Sequence, residues 1–346
     1  MTRILHILPH PGGGAETYID VLEGLDGYQH ARIELAARKE PLRAQPSLIA
    51  RRPRVARAIR GSDLVHIHGD TSAILALRLL GDTPMVWTTH GLHLLRRTRE
   101  PARRFVLNGL KRVVRTSSAT ICSSRKEHDE LAALLEDLPS HGRLRTIVAG
   151  VPETADGHPR DNVRAELGIG GEETVVLFAG ELEQRKDPLS AVRATLEARR
   201  DGADVVLLVA GDGSLLPEVT AAADEGIQVL GFRHDLDRLM SAADVFVLPS
   251  TREGLSLALL EAMNCALVPV VAAGPGNPEA VGEAGIVVPP GDVNALATAL
   301  EGLAREPDRR ARLGEAARER QLREFGVGRF LAEIADVYQG SLAGPG

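Results

Sequence analysis

Short apolar runs rich in β-branched residues alternate along this chain with segments whose apolar residues recur at helical spacing. That pattern predicts parallel strands covered by helices on both faces, an α/β fold. In the first half the strand-like runs are residues 4–8, 33–36, 64–68, 85–89, 119–122 and 144–147; in the second they are 175–178, 205–210, 227–230, 245–248, 268–272 and 286–288. Six strands per half is the number of a complete Rossmann-like, doubly wound sheet. Between the halves, residues 149–171 collect Gly150, Pro152, Gly157, Pro159, Gly168, Gly170 and Gly171, the composition of a linker. The expected organisation is a domain over 1–155, a second over 156–325, and a last segment, 326–346, helical and packing back on the first. Residues 308–338 read as Arg- and Glu-rich helices with apolar spacing, suited to packing rather than chemistry. Two such sheets joined by a hinge would form a cleft facing the carboxyl ends of their strands, where ligands of open α/β sheets bind.

Composition narrows the class. With 44% hydrophobic and 25% charged residues in 346, the chain has the balance of a folded protein. Only 3% are aromatic, too few for a platform of stacked rings. Cys122 and Cys265 form no CxxC pair and read as small buried hydrophobes in a reducing compartment. The first eight residues read as a strand rather than a signal peptide, and no apolar run reaches the roughly 20 residues that span a bilayer. A cytoplasmic location is therefore expected, with any membrane contact peripheral. Up to Arg160, Lys and Arg outnumber Asp and Glu by 24 to 17; from Asp161 on they are outnumbered 17 to 30. A basic front half suits an anionic acceptor or membrane surface, although domain drift alone produces such splits. The net charge of −6 and the scarce aromatics argue against nucleic acid.

Candidate chemistry gathers in the loops that follow strands. Residues 251–261, Thr-Arg-Glu-Gly-Leu-Ser-Leu-Ala-Leu-Leu-Glu, come after an apolar strand and a Pro249-Ser250 break. Gly254 and Ser256 suit a helix entry, whose unpaired N–H groups favour a phosphate or sugar hydroxyl. Glu253 stands just before that helix and Glu261 about two turns inside it, a spacing that holds two parts of one elongated ligand. After the first strand of the second half, Gly180-Glu-Leu-Glu-Gln-Arg-Lys-Asp carries Arg185 and Lys186. Cations there suit an anionic ligand such as a diphosphate, and could also be two solvated bases before a helix. Near the N-terminus, Gly12, Gly13 and Gly14 let backbone approach a ligand, but the loop lacks GxGxxG. His90 ends a strand and His68 another, whereas His6, His10 and His66 read as structural or peripheral. No HxxxH, HExxH or DxD pattern marks a metal site.

These segments together, in order over nearly the whole chain, resemble the family-four retaining glycosyltransferases of the GT-B fold. The family's two glutamates, separated by seven residues, are matched by Glu253 and Glu261. The resemblance implies that Glu261 bonds the ribose hydroxyls and Glu253 the transferred sugar. Gly254, Leu255 and Ser256 would then meet sugar and phosphates through their backbone, and His90 would contact the donor sugar. Gly12, Gly13 and Gly14 would lie near the donor phosphate and acceptor. The loop from Gly180 through Arg185 and Lys186 would hold the diphosphate. Many members place an arginine directly after that glycine, where this chain has Glu181, and Arg185 is expected to stand in for it. Phe232 and Arg233 would meet the base through backbone atoms, and Gly211 and Glu279 match further family positions.

The implied activity is retaining transfer of a sugar from a nucleotide diphosphate sugar to an unidentified acceptor, with no cofactor and no metal. A sugar-nucleotide epimerase or hydrolase on the same fold, or a non-catalytic nucleotide-sugar binding protein, are the alternatives. The basic helix around Arg103 to Arg115, with its apolar stripe of Phe105, Leu107, Leu110, Val113 and Val114, could dock on anionic headgroups or pack against the core with a solvated basic face.

Overall fold

The computed structural model describes residues 1–10, 14–36, 46–135, 143–153, 158–251, 255–274 and 276–344. Two parallel sheets organise them. The first contains β1 (Thr2–Leu8), β2 (Tyr28–Glu34), β3 (Leu64–His68), β4 (Met85–Thr88), β5 (Ala119–Cys122) and β6 (Leu144–Thr146). Its spatial order is β2-β1-β3-β4-β5-β6. The second contains β7 (Thr174–Ala179), β8 (Val205–Ala210), β9 (Ile227–Gly231), β10 (Val245–Leu248), β11 (Val268–Ala272) and β12 (Ile286–Val288). Its order is β12-β11-β10-β7-β8-β9, the Rossmann arrangement counted from β7.

The central strands are buried on both faces, which is why they read as unbroken apolar runs: β7, β8, β10 and β11 have no exposed residue. β2 breaks that rule, and the expected strand at 33–36 is displaced toward the N-terminus. An edge strand needs no continuous apolar run, and Tyr28–Glu34 alternates half-buried with exposed residues while pairing with β1 from Thr2↔Tyr28 to Leu8↔Glu34. Leu35 and Ala36, expected within that strand, continue past it as a buried turn.

The residues partition into two compact units, Met1–Gly150 with Val327–Gly346, and Val151–Gly326. The chain thus returns to its first unit at Val327. The returning helix, Val327–Leu342, buries Phe330, Ile334, Val337 and Tyr338 in that unit. Within the second unit, the crossing segments are tied by a Val151↔Gly326 bridge and by the Asn264 amide, which donates to the Pro152 carbonyl at 2.6 Å. Cys122 is fully buried and Cys265 half-buried; burial pushes the Cys122 thiol pKa up, with nearby Glu127 and Asp129 adding to it. No helix among the described residues is long and apolar enough to cross a membrane.

Candidate functional site

In the second sheet the connections leave β7 and β10 on opposite sides, which opens a crevice at the carboxyl ends of these two neighbours. Both second-half motifs start there. The loop after β7 runs from Gly180 to Asp187, and the segment after β10 runs through Ser250 and Thr251 toward the helix Leu257–Asn264. A backbone bond joins them: the Thr251 amide donates to the Arg185 carbonyl at 3.0 Å.

The β7 loop is braced from the neighbouring strand. Gly180 N–H donates to Ala210 at 3.0 Å, Leu182 N–H to Asp212 at 2.9 Å, and the Leu215 amide returns to Leu182 at 2.8 Å. This proximity forbids a side chain at Gly211, directly after β8. A Cβ on Gly211 would lie 1.9 Å from the Gly180 carbonyl oxygen. Gly211→Ala is therefore expected to lower the melting temperature by several degrees, since overpacking against backbone costs about 1–3 kcal/mol. A melting curve checks this; an unchanged midpoint would show that the two loops do not need this close approach.

Lys186 lies buried along this loop, its Cε 3.7 Å from where a Gly180 Cβ would sit. Arg185 is half-buried and its guanidinium is paired with the Glu181 carboxylate. Glu181, directly after Gly180, thus holds the arginine four positions on. Arg185 shares its charge with Glu181.

Glu261 is a different kind of group. It is the fifth residue of the helix Leu257–Asn264, about one turn in rather than the two expected because the helix starts only at Leu257, and its half-buried carboxyl makes no hydrogen bond or ion pair with another described side chain. Burial alone pushes its pKa up. At the start of the same helix, Ser256 is buried in extended conformation and its hydroxyl makes no capping bond. Leu255 is half-buried beside it. The Ser250 hydroxyl, at the end of β10, is also buried without a partner among the described residues. A largely desolvated carboxylate and a buried hydroxyl left unpaired cost stability unless something else bonds them. Glu253 and Gly254, like Gly12 and Gly13, lie outside the described residues; Gly14 begins an exposed helix entry.

Past β9, Phe232 is 67% exposed, its ring edge-on to His234 at 4.8 Å. Arg233 commits its guanidinium to Asp235 through bonds of 2.6 and 2.8 Å. Glu279 lies in the short helix Asn277–Val281, whose carbonyls at Glu279 and Ala280 accept from Arg320. On the opposite, amino-terminal edge of this sheet a pocket of about 300 Å³ includes Arg160, Asp244, Cys265 and Arg310. Asp244 there already pairs with Arg160 and Arg164.

In the first unit, His90 follows β4 in a left-handed turn with φ 51°. Its neighbours are pinned by a buried acid. Glu127 accepts from Gly91 N–H at 2.6 Å and Ser123 N–H at 2.8 Å. Asp70 does the same for the next turn, accepting from Leu94 and Leu95 amides at 2.5 and 3.0 Å. Gly91 has φ +105°, and any Cβ there would meet the His93 ring at 2.8 Å. His90 is half-buried, and burial, helped by His93, pushes its pKa down to about 3. It therefore stands neutral at physiological pH.

His6, His66 and His68, read from the sequence as structural or secondary, converge instead with nitrogen atoms within 4.8 Å of one another. The i, i+2 spacing of His66 and His68 places both on one sheet face, and the register sets His6 opposite His66. Both nitrogens of each ring are already hydrogen-bonded, His66 to Tyr338 and Thr88 at 2.6 and 2.7 Å. Sequence shows the spacing but not the register, and so missed the cluster.

Residues 7–155 match Glycosyltransferase Family 4, and residues 173–306 match Glycosyl transferases group 1. A D-inositol 3-phosphate glycosyltransferase of Saccharomonospora viridis is 32% identical over 311 residues, covering 81% of this chain and 70% of that protein. An alpha-maltose-1-phosphate synthase of Mycolicibacterium smegmatis is 29% identical, covering 75% and 74%. Among solved structures, Anabaena HepE in complex with UDP-glucose superposes with a TM-score of 0.82 at 19% identity, covering 98% of this chain and 100% of HepE.

Proposed function

We propose that this chain, which belongs to the group 1, family 4 glycosyltransferases, moves a sugar from a nucleotide diphosphate sugar to an acceptor, with retained configuration and no divalent ion. Membership makes it a glycosyltransferase of the GT-B fold. The observation that best supports the donor is Glu261, a half-buried carboxylate without a partner among the described residues on the helix after β10, beside the switch point that also carries the buried Lys186. A ribose offers two adjacent hydroxyls, the donors such a carboxylate lacks.

In this reading Glu261 accepts hydrogen bonds from the ribose. Lys186, with Arg185 alongside, meets the diphosphate, and the backbone at Gly180, Gly254, Leu255 and Ser256 adds N–H donors from the loop and the helix start. Glu253 and His90 hold the transferred sugar, Gly12, Gly13 and Gly14 approach the donor phosphate, and the backbone of Phe232 and Arg233 flanks the base. The bond from the anomeric carbon to the diphosphate oxygen breaks. The acceptor oxygen bonds that carbon on the same face, and its proton passes to the departing diphosphate oxygen. Lys186 stabilises the charge that develops on the leaving group, so that no enzyme nucleophile and no metal is required.

Screening UDP-, GDP- and ADP-sugars by thermal shift in EDTA tests this, because a ligand that binds the folded state raises its apparent stability. A rise with one base is expected. A rise that appears only with added Mg²⁺ would exclude the metal-independent reading, and none under either condition would exclude the donor.

The helix Ala102–Thr116 buries Leu110, Val113 and Val114 and presents Phe105, 79% exposed, among arginines. Docking of this face on anionic lipid is part of the proposal. Phe105→Asp is expected to cut co-sedimentation with phosphatidylglycerol vesicles several-fold at low salt; equal sedimentation of variant and parent would remove the membrane from the account.

A further inference from the structure

One sheet face of the first unit carries a row of imidazoles from its edge strand to the loop after β4. His30 Nδ1 lies 2.8 Å from His6 Nε2, His6 Nδ1 lies 3.0 Å from His68 Nε2, and His68 Nδ1 lies 2.9 Å from His90 Nε2. Three hydrogen bonds thus link four rings in series. Burial pushes the pKa values of His6 and His68 well below the usual range and that of His30 down, so the rings are neutral at physiological pH.

A neutral imidazole has one N–H and one lone pair. If it donates to one neighbour, it must accept from the other. The direction of donation is therefore the same at all three bonds, and only two arrangements exist. Either every ring carries its proton on Nδ1 and the chain donates toward His90, or every ring carries it on Nε2 and the chain donates toward His30. The far end decides between them. His30 Nε2 is buried and has no hydrogen-bond partner among the described residues. The second arrangement would place an N–H there with nothing to accept it, and buried orphan N–H groups are rarer than under-used acceptors. The first places only a lone pair there.

We infer that His30, His6 and His68 are positioning residues that hold His90 as its Nδ1–H tautomer, so that it meets its ligand as a hydrogen-bond donor and not as a base. The surroundings hold the rings in register: the Tyr18 ring stands edge-on to His90 and His68 at 4.9 and 5.6 Å. Arg32, paired with Asp20 and Glu23, lies near the His30 end, and Tyr338 engages His66 beside the chain. That the ligand is the sugar of the donor rests on the proposed function; the tautomer does not.

The test is nitrogen-15 NMR of the unliganded, histidine-labelled protein near pH 7, read through imidazole ring correlations and nitrogen–nitrogen couplings across the hydrogen bonds. His6, His68 and His90 are expected as neutral Nδ1–H tautomers, with couplings from His6 to His68 and from His68 to His90. His68→Phe is expected to move His90 toward the Nε2–H tautomer that free imidazole prefers. His68→Asn, whose amide can donate to His90 Nε2, is expected to keep it. A cationic or Nε2–H His90 in the parent protein overturns the inference even if the variants fail to fold, and so does a His90 tautomer unmoved by His68→Phe. Because no donor is present, the outcome does not depend on whether the protein transfers sugar; that reading fails separately, in the thermal-shift screen.

Discussion

Glu261→Gln is expected to yield a protein that melts higher than the parent yet binds its nucleotide donor about ten- to a hundredfold more weakly. Both effects come from one property of the residue, a half-buried carboxyl group with no donor to compensate it among the described residues. Its folded-state pKa is raised above the unfolded value, so near neutral pH the fold bears the cost of holding the charged form. That cost is relieved as pH falls through the raised pKa, or permanently by an amide. The donor loses a charged acceptor for its ribose hydroxyls, and hydrogen bonds to charged groups are worth about 1.5–3 kcal/mol. Donor affinity of the parent should likewise fall as pH drops through the Glu261 pKa, whereas that of the variant should not. Calorimetric titration and melting curves on the same samples read both. A variant that melts lower and binds as the parent does would make Glu261 an ordinary structural acid.

The second large effect is expected at Lys186. Lys186→Ala should lower turnover by about 10²–10³-fold, the range seen when one preorganised group that stabilises developing charge is removed. Lys186→Arg should recover little, because the side chain runs buried beside Gly180 and a planar guanidinium does not fit where an ammonium stem passes. Arg185→Ala should cost less than Lys186→Ala, since Arg185 already shares its charge with Glu181. Steady-state rates with saturating donor and acceptor measure all three; turnover unchanged in Lys186→Ala would remove the diphosphate contact from this loop.

Much of the fold was legible because parallel strands buried on both faces leave continuous apolar runs. Val205–Ala210 and Val268–Ala272 show this in its plainest form, and the family resemblance followed from motifs placed directly after such strands. Tyr28–Glu34 escaped because an edge strand is specified by pairing with β1 rather than by its own hydrophobicity. The spacing of Glu253 and Glu261 pointed to a ligand-holding helix. The absence of a described partner for Glu261 could not be read from spacing, since it depends on what the fold brings near. The histidine chain was illegible for a related reason. His66 and His68 lie two residues apart, but His6 and His30 join them only through strand register, and Tyr338 reaches His66 across 272 positions. The Glu181–Arg185 pair has the spacing of helical neighbours and could have been anticipated as competition for the cation expected at the diphosphate.

A structure of the chain bound to UDP, grown in the presence of EDTA, bears most directly on where the nucleotide sits. The account predicts the pyrophosphate within hydrogen-bonding distance of Lys186 Nζ and the ribose hydroxyls on Glu261, at the carboxyl ends of β7 and β10. A nucleotide found at the amino-terminal edge beside Asp244 and Arg310, or held at the carboxyl ends with neither of those side chains touching it, would contradict it.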